Sequence, residues 1–328
     1  MNALPRVSVV IPCFNYARYL PAALGSVLAQ DGVDVDVVVV DDASGDDSLE
    51  VAREFADRDP RVRVIAHSEN RGHLATANDA VGQATGEFVV KLDADDLLTP
   101  GSLARAAGLL RAYPGVAFCY GWAEEFTGDP PVVLDPPRTR TQVWSGEEWT
   151  RRVLRRGHNV IRQPEVMMRR AGLEAVGGYD VRLPWAEDLH LWLRLAAHGD
   201  VGRLAGPTQG LYRVHDKSLM RAADDLELTD LRWRIAAIDL YLTEHPGAVG
   251  EVTSLRALGL SSLAREARAL AARGATGHAE ARALADELDA RSGVRPIRSL
   301  SAHPGPLGDV YRDLSARLRW RRWRRIGV

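Results

Sequence analysis

The stretch Gly86–Pro100, GEFVVKLDADDLLTP, limits what this chain can fold into more than any other. Phe88, Val89, Val90 and Leu92 form a short apolar run with β-branched residues, the pattern of a buried strand. Asp93, Asp95 and Asp96 follow at once. Carboxylates at the C-terminal end of a buried strand stand where open α/β sheets bind their ligands. Crowded this closely, they repel one another unless a positive charge lies between them. A hard divalent cation, Mg2+ or Mn2+, meets that need, because it prefers oxygen ligands and bridges readily to phosphates. The same residues also suit a solvated acidic turn in which Asp96 or Thr99 caps a helix starting near Pro100.

Upstream, strands and helices alternate. Val7–Ile11 reads as a strand, Tyr19–Ala29 as a helix and Val35–Val40 as a second buried strand. A helix through Leu49, Val51 and Phe55 follows, then a strand over Val62–Ala66 and a helix over Leu74–Ala84. This alternation predicts a parallel, doubly wound sheet. Right-handed crossovers then bring Phe14, Asp42 and Asp93–Asp96 to one edge. An ionised Asp42 only accepts hydrogen bonds, so it suits the imide N–H of a uracil or thymine ring with Phe14 against the base. Equally, Asp41, Asp42 or Ser44 can cap the helix that follows.

Three segments, VSVVIPCFNYARYLPAALGSVLAQ, VVVVDDASGDDS and NRGHLATANDAVGQATGEFVVKLDADD, together resemble the family 2 glycosyltransferases with the GT-A fold. Those enzymes carry a strand–Pro–x–aromatic–Asn opening, a DD-x-S segment and a D-x-D or D-x-DD motif in this order. The resemblance covers about the first two-thirds of the chain. It implies that Pro12, Phe14 and Asn15 contact the nucleoside and that Asp42 binds the base, with Arg71 beside it. By the same resemblance Asp93 and Ala94 lie at the ribose and diphosphate, and Asp95 ligates the cation.

Further along, Leu103, Ala107 and Leu110 mark a helix, and Val116–Tyr120 a strand. Thr127–Thr141, rich in Pro, Asp and Thr, reads as an irregular loop or lid. Glu147–Arg156 is expected to be a helix and Gln163–Arg169 a strand on the acceptor side. Leu189, Trp192, Leu193 and Ala196 have helical spacing, with Glu187 and Asp188 in the first turn. Alone, that acidic pair only complements a helix dipole. The resemblance makes it the E-D motif, with Asp188 the catalytic base of an inverting transfer, and Glu187 and Trp185 on the acceptor side. The segment Leu211–Ser218 resembles the family's Tyr-Arg-x-His loop, in which His215 ligates the cation or bonds to phosphate and Arg213 neutralises charge.

From Ala222 the composition turns to Ala, Leu, Arg and Glu, and Leu226–Leu242, Val252–Ala272 and Thr276–Ala290 read as helices. The expected fold class is therefore α/β: a GT-A type Rossmann-like sheet flanked by helices, with a C-terminal helical extension. Residues 1–100 would form the nucleotide-sugar half, 101–221 the acceptor half and 222–328 the helical region. The tail Tyr311–Val328 holds seven arginines with Trp320 and Trp323 among them, suited to a peripheral membrane contact.

A net charge of -2 with the basic patch confined to the tail argues against nucleic acid. Two cysteines, no signal-peptide pattern and no long apolar span predict a cytoplasmic protein, with the tail at the inner face of the membrane. The expected partners are a nucleoside-diphosphate sugar and a glycan or lipid-linked acceptor. A haloacid-dehalogenase-type phosphatase also places D-x-D after a strand, but no Gly-Thr follows the acids here. A non-catalytic nucleotide-binding scaffold is opposed by intact Asp42, Asp93, Asp95 and Asp188.

Overall fold

The computed structural model describes residues 3–133, 138–215, 226–247, 252–272 and 278–293. The expected membrane contact of Tyr311–Val328 lies outside them. In chain order the first elements are β1 (Arg6–Cys13), α1 (Leu20–Leu28), β2 (Asp34–Asp41), α2 (Ser48–Arg58), β3 (Val62–Ala66), α3 (His73–Gly82), β4 (Phe88–Lys91) and β5 (Leu97–Leu98). Next come α4 (Ser102–Ala112), β6 (Val116–Tyr120), β7 (Ala123–Phe126), β8 (Arg140–Trp144), α5 (Gly146–Arg156), β9 (Val166–Arg169) and α6 (Arg170–Val176). The last are α7 (Glu187–His198), β10 (Asp200–Ala205), β11 (Gly210–Arg213), α8 (Leu226–Glu244), α9 (Val252–Ala272) and α10 (His278–Ser292).

The chain forms two compact units. One comprises Met1–Gly146, Ile161–Arg182 and Arg194–His215; the other comprises Glu147–Val160, Leu183–Leu193 and Asp216–Val328.

In the first unit the main sheet runs β3-β2-β1-β4-β9-β6-β10-β8. Strands β1 to β4 pair in parallel, so the ends of β1, β2 and β4 open on one edge, as the alternation predicts. Val7, Val9 and Ile11 of β1 are wholly buried, and they share a core cluster with Val37, Val39, Phe88 and Leu24. Burial on both faces is why these strands read as continuous apolar runs.

The sheet is not all parallel. β9 lies antiparallel between β4 and β6, and β8 is antiparallel to β10 at the far edge. β8 starts inside the segment expected to be an irregular lid. Its Arg140, Thr141 and Gln142 are exposed, so an edge strand left almost no apolar alternation to detect. Gln163–Arg169 is a strand only from Val166. Gln163–Glu165 forms a 3-10 turn, in which the Glu165 amide donates to Arg162 O, because Pro164 has no N–H for a ladder. A second, small sheet, β5-β11-β7, takes in Gly210–Arg213, part of the segment expected to be a loop.

Gly86 shows why the organising stretch begins with glycine. The buried Ser8 hydroxyl accepts the Thr85 and Gly86 amides at 3.0 and 2.8 Å and donates to Asp36 at 2.9 Å. A Cβ on Gly86 would stand 2.6 Å from the Ser8 nitrogen and 2.9 Å from Arg6 O, both main-chain atoms. Gly86→Ala is therefore expected to lower stability by about 1–3 kcal/mol, as overpacking does when the neighbour cannot yield. A denaturant midpoint unchanged from wild type would refute this.

In the second unit, α8, α9 and α10 confirm the helical C-terminal region. Leu228, Ala271 and Ala281 form an apolar cluster. Arg234 is 3% exposed and bonds to Asp230 at 2.7 Å, Glu266 at 2.7 Å and Gly157 O at 2.7 Å. A buried guanidinium is tolerated only when its donors are met in this way.

Candidate active site

Three loops meet at the edge where β1, β2 and β4 end. Pro12 lies within β1 opposite Val40. Beyond it, Phe14 is 43% exposed, an apolar ring presented to solvent. Asn15 has φ +60°, a conformation that asparagine tolerates better than most residues. Its amide donates to Ser44 Oγ at 3.0 Å, and its side-chain oxygen accepts the Gly45 amide at 2.8 Å. The exits of β1 and β2 are thereby tied together.

Asp42 is 2% exposed and caps no part of α2. Its Oδ1 instead faces His67 Nδ1 at 2.8 Å and accepts the Arg71 amide at 2.8 Å, while Oδ2 accepts the Gly72 amide at 2.9 Å. Burial works to raise its pKa, but these bonds, led by the one from His67, hold it below the usual carboxylate range. Arg71 turns its guanidinium to Asp79. Neither His67 nor Asp79 stands out in the sequence, because both matter only through long-range partners.

After β4, the Asp96 amide donates to Asp93 O at 3.0 Å and closes a tight turn. Asp93 pairs with the buried Lys91 Nζ at 2.5 Å, and Ala94 is buried. Asp95 Oδ2 lies 2.9 Å from His215 Nε2. Burial, reinforced by Asp93, raises the Asp95 pKa, and His215 pulls it back. Asp96 is 1% exposed; its Oδ1 accepts the Arg213 amide at 2.8 Å, and its Oδ2 has no hydrogen-bond partner. Burial, with Asp95 and Asp93 close by, pushes its carboxyl well above the usual range. Neither Asp96 nor Thr99 caps α4, whose N-cap is Gly101 in a left-handed conformation.

Arg213 holds this corner together. Its guanidinium stacks 4.7 Å from the Tyr19 ring and 4.3 Å from the Phe126 ring, while donating to Asp95 O at 2.9 Å and Gly128 O at 2.7 Å. The Tyr19 and Tyr16 rings stand 5.1 and 6.1 Å from the His215 ring. Burial, with Asp95 next, raises the Tyr16 phenol, which therefore stays protonated. The sequence reading missed Tyr16 and Tyr19; their aromatic spacing next to Asn15 was the available signal.

The E-D motif belongs to the second unit. Trp185, Glu187 and Asp188 are half-buried. Asp188 Oδ2 accepts Asn159 Nδ2 at 2.7 Å, and its Oδ1 accepts the Leu189 amide at 2.6 Å, at the N-terminus of α7. This helix is buried more widely than one face, since Leu191 and Leu195 are buried along with Leu189, Trp192, Leu193 and Ala196.

The comparisons agree with this architecture. TarS from S. aureus, solved in complex with UDP-GlcNAc, superposes with a TM-score of 0.58 at 18% identity, covering 94% of this chain and 92% of that one. The mannosyltransferase PcManGT from Pyrobaculum calidifontis, solved with GDP-Man and Mn2+, gives 0.53 at 22% identity over 87% of this chain and 81% of its own. Likeness at that identity speaks for the fold alone, the GT-A fold of these enzymes. The succinoglycan biosynthesis protein ExoO from Rhizobium meliloti is 40% identical over 105 residues, which are 32% of this chain and 30% of ExoO. The chain thus spans about a third of the length of that curated relative. The model of the family described as Glycosyl transferase family 2 matches residues 8–175 and takes in β1 to β9 with the Asp42 and Asp93–Asp96 turns. The chain belongs to glycosyl transferase family 2.

Proposed function

We propose that the chain is an inverting, cation-dependent glycosyltransferase that moves a sugar from a uridine or thymidine diphosphate sugar to a hydroxyl of a glycan or lipid-linked acceptor. The observation that carries this reading is the 2.9 Å contact between Asp95 Oδ2 and His215 Nε2 at the strand end. The carboxylate oxygens of this corner are the kind of ligand that Mn2+ and Mg2+ take, and the imidazole nitrogen would complete the set for Mn2+ more readily than for Mg2+. Asp95 and His215 would hold the ion, and once bound it supplies a Lewis acid for the departing diphosphate.

The chain's own residues do the rest. Asp42, a carboxylate that only accepts, would take the N–H of the base. Phe14 offers its exposed ring to that base. Asp188, oriented by Asn159 and the Leu189 amide, takes the proton of the acceptor hydroxyl. The hydroxyl oxygen then bonds to the anomeric carbon as the bond from that carbon to the diphosphate oxygen breaks. Trp185 and Glu187, flanking the base, would contact the acceptor.

The UDP-GlcNAc bound by TarS and the GDP-Man bound by PcManGT favour a nucleoside-diphosphate sugar as donor, and the succinoglycan role in ExoO's name favours a glycan product. Among the described residues no helix is long and apolar enough to cross a membrane. Contact with the inner face of a membrane rests on the composition of Tyr311–Val328 alone. Equal liposome co-sedimentation with and without that tail would remove it.

A thermal-shift panel of UDP, dTDP and GDP, each with Mn2+ or with chelator, tests the donor reading. At least one is expected to raise Tm only when the cation is present, because a ligand of the folded state stabilises it. A panel without any shift would sink the proposal.

A further inference from the structure

The Asp42 carboxylate is one end of a chain of four side chains, Asp42, His67, Asp79 and Arg71. His67 follows β3 and its side chain is 9% exposed. Its Nδ1 faces Asp42 Oδ1 at 2.8 Å, and its Nε2 faces Asp79 Oδ2 at 3.1 Å. Its amide donates to Asp41 O at 2.9 Å, which anchors the residue to the end of β2. Asp79, on α3, also takes the Arg71 guanidinium. Both ring nitrogens of His67 thus face a carboxylate oxygen, and Arg71 pairs with the outer carboxylate. Asp42 and His67 are buried, whereas Asp79 and Arg71 are partly exposed.

The geometry also restricts how Asp42 can turn. Oδ1 meets His67 and the Arg71 amide, Oδ2 accepts the Gly72 amide, and the Thr76 hydroxyl also bonds to the carboxylate. The two amides and Thr76 belong to the opening of α3 and the turn before it. His67, itself held by Asp79, is the partner that comes from the end of β3.

We propose that His67 is a positioning residue of the donor site: clamped between Asp42 and Asp79, it holds the Asp42 carboxylate in the orientation that receives the N–H of the nucleotide base. The inference rests on the donor reading above and assigns to His67 a part of it that no motif marks. His67 does not touch the reacting atoms. Its loss therefore weakens uniform binding of the donor and spares the chemical step.

The test is calorimetric titration of UDP with Mn2+ into the full chain, paired with steady-state kinetics. His67→Ala is expected to raise the Kd for UDP and the donor KM together by roughly tenfold, with kcat within about twofold. His67→Asn, whose side-chain N–H2 replaces ring Nδ1 as donor to Asp42, is expected to return Kd to within about threefold of wild type. Asp79→Asn should weaken binding by itself and add nothing on top of His67→Ala, since residues of one network are not additive.

A folded His67→Ala that binds UDP like wild type, while Asp42→Ala does not, overturns the inference and leaves the donor reading standing. A kcat that falls in step with kcat/KM, or an Asn variant no better than Ala, overturns it as well. If His67→Ala does not fold, Asp79→Asn decides, and an unchanged Kd counts against the inference. Wild-type protein that binds none of UDP, dTDP or GDP overturns the donor reading itself, and this inference with it.

Discussion

Asp188→Asn is expected to abolish transfer while UDP binding stays close to that of wild type. Asn has nearly the shape of Asp and cannot take the acceptor proton. A placed base contributes roughly 10²- to 10⁴-fold in rate, so a loss of that size in kcat is the expected readout. Asp188 has the features of an aimed base: a side-chain amide on one oxygen, a main-chain amide on the other and a place in the first turn of a helix. Single-turnover transfer together with UDP titration measures both quantities on one preparation. Turnover near the wild-type rate would remove Asp188 from the role.

Asp95→Ala is the second large effect. With Mn2+ present, the Kd for UDP is expected to rise tenfold or more, about 1.4 kcal/mol per tenfold. In chelator the variant and the wild type should bind alike, because the carboxylate acts through the ion. Equal weakening with and without the metal would reject Asp95 as a ligand.

The raised pKa of Asp95 adds a pH signature with a definite sign. A carboxyl whose folded pKa lies above its unfolded value binds more protons in the folded state, so without cation it makes stability fall as pH rises through that folded pKa. A bound cation removes the cause by neutralising the ionised form. The gain in Tm from Mn2+ should therefore grow as pH rises across this range and shrink as protons compete at lower pH. A gain that does not change with pH would count against Asp95 as the titrating ligand.

Much of the fold was legible because local pattern and global position agree where the chain is buried on both faces. VSVVI and VDVVVV admit no other use than central strands, and both are central in the sheet. The edge was harder. β8 has three exposed residues out of five, and β11 has only four residues, so neither carries the period that marks a strand. Their pairing supplies what their sequences lack: β8 finds β10, and β11 lies between β5 and β7. The antiparallel insertion of β9 was equally hidden, since a short strand has no direction until it has neighbours.

The candidate site divides in the same way. Residue types and their order along the chain announced acids at strand ends, an Asn where the backbone turns left-handed and an acidic pair opening a helix, because such needs are set within a few residues. Which acid does what was decided only in three dimensions. Asp96 is buried with Arg213, Asp95 meets His215, and Asp42 binds His67 and two amides at the start of α3 rather than capping α2. By itself the sequence determined the alternating strands and helices of the parallel half and the acids at its strand ends, since apolar runs and charge are properties of residues. Tertiary structure alone decided how each carboxylate is buried and what it bonds to, since its partners come from segments up to 120 positions away.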